Sequence, residues 1–180
     1  DNLSRRDIDN ELQVESLTPI ATLGERIKTW SELTGKIIKF KNIDISREYW
    51  ELFETIKLNN IDTIVHFAEQ RAAPYSMKGT KQKQYPVDNN INGTMNVLLA
   101  IEAYNPDIHL VHLGTMGVYG YSSVGLKIPE GYLDVKLHVP GKGDVEQSIL
   151  YPTNPGSVYH MTKSLDQIMF QFFVKNSKLK

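Results

Sequence analysis

The sequence predicts an α/β domain with a doubly wound parallel sheet that is incomplete at both ends. Three short apolar runs have the composition of buried strands: residues 36–41, 61–67 and 108–113. Three stretches with helical spacing of apolar side chains alternate with these runs: about 46–58, 84–104 and 157–174. Such alternation is typical of parallel strands covered by helices on both faces. Ligands bind such sheets at the carboxyl ends of the strands, so we expect the chemistry there.

The first sixteen residues lack the strand, glycine-rich turn and helix with which a dinucleotide-binding domain normally opens. Position 1 looks instead like the end of a second strand. The Asp1 carboxylate could then accept from an adenosine ribose hydroxyl, or it could be merely a terminal polar group. We therefore expect 1–180 to be a partial Rossmann-like domain without its first βα unit and without a C-terminal substrate domain.

The two central strands end on polar or small residues. The first reads Val-His-Phe-Ala at 65–68, and the second reads Leu-Val-His-Leu-Gly-Thr at 110–115. Residues 115–156 follow with many glycines and prolines and no convincing helix, which predicts a long loop that covers a ligand. Residues 132–139 alternate polar and apolar side chains, so a small hairpin is expected inside that loop.

The last helix carries the most informative pair of residues, Tyr159 and Lys163. Positions four apart lie on one helix face, so the ammonium could stabilise the anion of the phenol. The other pair with this spacing, Tyr132 and Lys136, lies in the predicted strand and is too far apart to be coupled. An ordinary amphipathic helix capped by Ser157 is the alternative interpretation of the same pattern.

Bulk composition excludes several classes of function. The 180 residues are 41% hydrophobic and carry a net charge of −1, which argues against a nucleic-acid surface driven by phosphate neutralisation. Cysteine is absent, so disulfides and thiolate metal sites are excluded, and no metal site is predicted. No apolar stretch has membrane-spanning length and no signal peptide is visible, so a cytoplasmic protein without membrane insertion is expected.

Several blocks of sequence carry a resemblance to a known family. They are Asp-Asn-Leu-x-Arg-Arg at 1–6, Asp-Ile at 44–45, Val-His-Phe-Ala-Glu-Gln-Arg-Ala-Ala-Pro-Tyr-Ser-Met at 65–77, Asn-Asn-Ile-Asn-Gly-Thr at 89–94, Gly-Thr-Met-Gly-Val-Tyr-Gly at 114–120 and Tyr-His-Met-Thr-Lys at 159–163. The chain resembles the extended short-chain dehydrogenase/reductase superfamily and, within it, the UDP-sulfoquinovose synthases. The pattern departs from that family at Val118, where Glu is usual, and in the extra residues before Tyr159.

This resemblance implies an NAD-bound enzyme that converts UDP-glucose and sulfite, free or from a donor protein, into UDP-sulfoquinovose through a 4-keto intermediate. The implied catalytic residues are Thr115, Tyr159 and Lys163. The implied cofactor-binding residues are Asp1, Asn2, Leu3, Arg5, Asp44, Ile45, Asn89, Tyr159 and Lys163. The implied substrate-binding residues are Arg71, Thr115, Met116 and His160.

The resemblance also implies a homodimer packed through helices 84–104 and 157–174, and a plastid stroma if the source is a photosynthetic eukaryote. Asp44 could instead be a neighbour of a helix cap, and Arg71 could form a surface ion pair. The sequence leaves open a UDP-sugar 4-epimerase, a dehydratase and a catalytically silent dinucleotide-binding module.

Overall fold

The computed structural model describes residues 1–120, 132–150 and 153–180. Its helices are α1 Ser4–Leu12, α2 Leu23–Thr34, α3 Tyr49–Leu58, α4 Thr80–Pro86, α5 Asn92–Tyr104 and α6 Val158–Asn176. Its strands are β1 Thr63–His66, β2 His109–His112, β3 Tyr132–Val139 and β4 Gly143–Leu150. Short 3₁₀ turns span Tyr75–Met77 and Met116–Tyr119, and one π-helical turn spans Val87–Ile91.

Strands β1 and β2 pair parallel, with Thr63 opposite His109 and His66 opposite His112. The buried apolar core lies where α3 and α5 pack beside this pair, and its members are Ile56, Val97, Ala100, Ile101 and Ile108. Because β1 and β2 run parallel, their carboxyl ends meet at one edge, as predicted. The predicted α/β class is confirmed.

Two local predictions need correction, and two helices were missed. Residues 36–41 form no strand: a strand is held by hydrogen bonds to a neighbour, and within the described residues this segment pairs with none. The predicted helix at 84–104 is divided by the π-helical turn into α4 and α5. Helices α1 and α2 were not predicted, although Thr22 and Glu25 form a capping box at the start of α2.

A hairpin is present but is larger than predicted, since residues 132–139 form only its first strand. Strands β3 and β4 pair antiparallel, with Tyr132 opposite Leu150 and Val139 opposite Gly143. Other parts of the predicted 115–156 loop, residues 121–131 and 151–152, lie outside the described residues. Among the helices described, none is both long and apolar enough to cross a bilayer.

Candidate active site

A cavity of about 480 Å³ lies beside the carboxyl end of β1 and the start of α1. Six residues predicted to bind a cofactor line it, together with a predicted substrate-binding arginine: Asp1, Asn2, Arg5, Asp44, Ile45, Asn89 and Arg71. Its other lining residues include the Ala68-Glu69-Gln70 segment that follows β1. Leu3 was also predicted to bind the cofactor, but it is not among the residues that line the cavity, although its neighbours Asn2 and Ser4 are.

Short polar turns position the side chains of the cavity. Asp1 Oδ1 accepts the backbone N–H of Leu3 at 2.7 Å, and Asp44 Oδ1 accepts from the backbone and hydroxyl of Ser46 at 3.0 and 2.6 Å. Burial opposes ionisation of Asp44, but the hydrogen bonds from Ser46 and Asn2 and the charge of Arg47 together lower the Asp44 pKa. Arg5 pairs with Asp9 at 3.1 Å one turn along α1. The cavity therefore combines carboxylate acceptors with guanidinium groups.

The π-helical turn at Val87–Ile91 links the cavity to α6. Asn90 is fully buried; its Oδ1 accepts the backbone N–H of Gln70 at 2.8 Å, and its Nδ2 donates to the Gln70 carbonyl and to Thr162 Oγ1 at 3.0 and 3.1 Å. Asn89 donates to Asn90 Oδ1 at 3.0 Å. Such turns often occur at functional sites, and this one holds α6 in place beside the end of β1.

Tyr159, in the first turn of α6, is half-buried, and its backbone N–H donates to Ser76 Oγ at 3.1 Å. Burial raises the pKa of its phenol, and the charges of Glu69 and Asp166 raise it further. A side-chain hydrogen bond with Thr115 acts in the opposite direction. The structure therefore brings together the predicted phenol and the predicted threonine.

Lys163 is paired with groups other than the Tyr159 phenol. Its ammonium pairs with Glu69 Oε2, lies 3.3 Å from His112 Nε2 and lies 3.7 Å from Asp166 Oδ2. No hydrogen bond joins Lys163 to the phenol within the described ranges. In this arrangement a buried carboxylate holds the ammonium, and the lowering of the Tyr159 pKa by Lys163 stays a prediction. The catalytic role of Lys163 stays a prediction.

Lys163 belongs to a buried polar cluster, defined here as His66, Glu69, His112, Lys163 and Asp166. His112 Nε2 lies 2.9 Å from Glu69 Oε1 and 3.5 Å from Asp166 Oδ2. His66 Nε2 lies 3.1 Å from the hydroxyl of Thr94, which donates to Glu69 Oε1 at 3.0 Å. This cluster occupies the carboxyl ends of β1 and β2.

Packing in the cluster shifts the pKa values of three of its side chains. Burial would raise the pKa of Glu69, but the hydrogen bond from His112 and the charge of Lys163 lower it to about 2. Burial and the charge of Glu69 raise the pKa of Asp166 to about 8, against the opposing effect of Lys163. Burial lowers the pKa of His66 to about 4. One carboxylate is therefore ionised and the second holds its proton near neutral pH.

The histidines and Glu69 also approach the spacing of a metal site, since one donor atom from each of His66, Glu69 and His112 lies within 4.8 Å of the others. The ammonium of Lys163 already provides a positive charge at this carboxylate. We therefore interpret the cluster as an ion-pair network. The sequence placed both histidines at strand ends but gave Glu69 and Asp166 no role, because their burial next to Lys163 depends on tertiary packing.

Stability is expected to fall as the pH rises from 6.5 to 8. The folded protein holds the Asp166 proton more tightly than the unfolded chain, so the stabilisation present at low pH is lost as the pH approaches 8. The loss should be about 1 to 2 kcal/mol over that window. Below pH 6.5 the resistance of His66 to protonation acts in the opposite direction. Urea denaturation at a series of pH values measures this dependence.

The matched variant for this prediction is Asp166→Asn, which cannot ionise and should abolish the decline above pH 6.5. An equal decline in wild type and variant would assign the effect to another group.

The last two predicted substrate-binding residues differ in exposure. Met116 is 83% exposed at the start of its 3₁₀ turn, whereas His160 is buried and its ring lies against Gly117. A Cβ added at Gly117 would be 2.4 Å from His160 Nε2. Val118, at the position where the resembled family usually has Glu, is fully buried. The turn after Thr115 is therefore packed directly on α6.

Gly117→Ala is expected to destabilise the protein by about 1 to 3 kcal/mol, because the methyl group must displace the His160 ring or the turn. It should also reduce activity through a misplaced Thr115. Gly114→Ala is the matched control, since its Cβ would have no atom within 4 Å. Equal thermal denaturation midpoints for the two variants would contradict the close packing.

Comparisons with known proteins identify the family. Residues 8–176 match the NAD dependent epimerase/dehydratase family. The chain belongs to that family. This membership confirms the predicted superfamily and NAD as the cofactor of the family.

Two curated relatives are named UDP-sulfoquinovose synthase. The one from Spinacia oleracea, described as chloroplastic, is 42% identical over 97% of this chain and 35% of its own length. The one from Sulfolobus acidocaldarius is 39% identical over 92% of this chain and 40% of its own length. The chain thus spans about 35 to 40% of the length of these relatives.

Solved structures share the fold. A UDP-glucose 4-epimerase from Thermus thermophilus, in complex with NAD, aligns with a TM-score of 0.60 at 14% identity, covering 97% of this chain and 48% of the other. A UDP-Glc/GlcNAc 4-epimerase from Campylobacter jejuni aligns with a TM-score of 0.63 at 16% identity, covering 91% of this chain and 41% of the other.

Proposed function

We propose that this chain forms part of an NAD-dependent enzyme that converts UDP-glucose and sulfite into UDP-sulfoquinovose. One observation carries the proposal: Glu69 lies in the wall of the cavity and its charge also acts on the Tyr159 phenol, which hydrogen-bonds with Thr115. The cavity and the reactive side chains are therefore neighbours. The names of the relatives at 42% and 39% identity support this choice of reaction.

The cavity suits part of a dinucleotide. Carboxylates at Asp1 and Asp44 can accept hydrogen bonds from ribose hydroxyls, and guanidinium groups at Arg5 and Arg71 can contact phosphates. The carboxylate of Asp1 would repel a ribose phosphate, which favours NAD over its phosphorylated form. Bound NAD would supply the hydride acceptor for C4 of the sugar and return the hydride at the end of the cycle.

The chain's own residues would handle the proton. Tyr159 takes the proton of the sugar 4-hydroxyl, and Thr115 hydrogen-bonds the same oxygen. A phenol has an ordinary pKa of about 10, so a base working near neutrality needs stabilisation of its anion by about 4 kcal/mol. Lys163 is the cation one helical turn away that can contribute to this stabilisation.

The 4-ketone would acidify the proton at C5. Loss of that proton and of the 6-hydroxyl as water would give an unsaturated ketone to which sulfite adds at C6. Ordinary sugar-nucleotide dehydratases have Asp-Glu after their threonine, whereas this chain has Met116 and Gly117. These two residues carry no titratable group, which argues against an ordinary dehydratase.

A UDP-sugar 4-epimerase is the second candidate, because that reaction needs the threonine, tyrosine and lysine but no elimination. A UDP-glucose 4-epimerase from Dictyostelium discoideum is 37% identical over 53% of this chain and supports it. Incubation of the complete protein with UDP-glucose and sulfite separates the two. A sulfonated nucleotide sugar is expected by mass spectrometry, and UDP-galactose without any sulfonate would contradict the synthase.

We also propose a homodimer through the surfaces of α5 and α6. An apolar stripe with helical spacing is exposed along α6: Met161, Leu165, Ile168 and Phe172. Leu99 on α5 is also exposed. Sedimentation of the complete protein as a monomer would contradict this assembly. The compartment and the source of sulfite, free or from a donor protein, stay predictions.

A further inference from the structure

Lys163 has two acceptors within its reach. Tyr159 lies one turn earlier on the same face of α6, and Glu69 lies opposite, on the segment after β1. In the structure Glu69 takes the ammonium, and the side chains of both residues are at most 5% exposed. The Glu69 carboxylate fixes the position of the ammonium, and its negative charge offsets the effect of that ammonium on a second anion nearby.

We propose that Glu69 is a positioning residue for the reaction: its carboxylate holds the Lys163 ammonium in the buried polar cluster and so divides that charge between the cluster and Tyr159. The proposal deepens the proposed function and rests on it for the catalytic consequence. Glu69 touches Lys163 directly and acts on the phenol through it and through its own negative charge.

The groups around Lys163 favour the cluster over the phenol. His112 on β2 contacts Glu69 and also lies 3.5 Å from Asp166 on α6. Thr94 on α5 donates to Glu69 Oε1 at 3.0 Å and fixes the carboxylate. His66 on β1 lies 3.6 Å from the same oxygen and resists protonation because it is buried. Hydrogen bonds from α5 and β2 thus hold the carboxylate through Oε1, and its Oε2 is directed to Lys163.

Glu69 also faces the cavity, which is lined by the residues predicted to bind the cofactor. A ligand group in that cavity would lie next to the Glu69–Lys163 pair. When the ammonium pairs with Glu69, the phenol keeps its proton, since burial and the carboxylate both oppose the phenolate. An ammonium directed to Tyr159 instead would stabilise the phenolate and lower the pKa of the phenol.

The test is the Glu69→Gln variant of the complete protein. Ionisation of Tyr159 is followed as tyrosinate absorbance, taking the difference from the same protein with Tyr159→Phe. We expect the Tyr159 pKa to fall by about one unit or more, because the variant removes a negative charge and releases Lys163. Glu69→Asp should keep most of the wild-type value, and the exposed Glu54→Gln should change nothing.

A folded Glu69→Gln protein with the wild-type Tyr159 pKa would overturn the proposal. If this variant does not fold, Thr94→Val is used instead, because it removes the hydroxyl that fixes the Glu69 carboxylate. The Tyr159 pKa should then fall by a smaller amount, and an unchanged value would overturn the proposal.

The titration needs no substrate, so it separates this proposal from the reaction. A shifted Tyr159 pKa in a protein that forms no sulfonate would leave the positioning role intact and reject only the synthase activity. In an active enzyme, the acidic limb of the kcat/KM profile should move to lower pH in Glu69→Gln. A purely structural role of Glu69 would lower stability without moving that limb.

Discussion

Tyr159→Phe is expected to lower turnover by about 10²- to 10⁴-fold, the usual contribution of a positioned acid or base. The ring stays in place and only the hydroxyl that hydrogen-bonds with Thr115 is lost. Binding of NAD should change little, because the ring still packs at the start of α6. Turnover of UDP-glucose by the complete protein measures the first effect, and titration with NAD measures the second.

Tyr104→Phe is the matched control, since its hydroxyl donates to the exposed Asn60 side chain at 2.6 Å. It should keep full activity. A Tyr159→Phe variant that turns over at the wild-type rate would remove Tyr159 from the chemistry. That result would favour a catalytically silent dinucleotide-binding module.

Lys163→Met is expected to have the largest effect on stability. It removes the cation of a buried pair and leaves the Glu69 carboxylate without its partner, at a cost of about 3 to 5 kcal/mol. Asp166 limits the loss, because burial and the charge of Glu69 already raise its pKa and keep it protonated near neutral pH. Urea denaturation of the complete protein measures the free energy of unfolding.

Lys175→Met, on the exposed part of the same helix, is the control and should change stability by less than about 0.5 kcal/mol. Similar losses in the two variants would show that the cluster does not depend on the Lys163 charge. Lys163→Met should also reduce activity, so stability is measured separately from turnover.

Local patterns predicted the elements that carry their own signal. The apolar spacing of α6 placed Tyr159 and Lys163 on one helix face, and the strand-end residues placed His66 and His112 at one sheet edge. In each case a few neighbouring residues determine the conformation. The family resemblance, and not a local pattern, implied seven of the sixteen residues that line the cavity, among them Asp1, Asp44 and Asn89.

The rest depended on contacts that are distant in sequence. The Lys163 ammonium pairs with Glu69 rather than with Tyr159. Glu69 and Lys163 are 94 positions apart in the chain, so no rule based on sequence spacing could predict this pairing. Residues 36–41 have strand composition, but a strand also needs a partner. Helix α1 begins after Leu3, whose left-handed conformation has no signal in the residue type.

Hydride transfer at C4 next to Tyr159 is the central claim, and UDP-glucose deuterated at C4 tests it most directly. Incubated with the complete protein, NAD and sulfite, it should give a sulfonated nucleotide sugar that keeps deuterium at C4, with slower turnover than unlabelled substrate. A sulfonated product without deuterium at C4, or no conversion by a folded protein that binds NAD, would contradict the account.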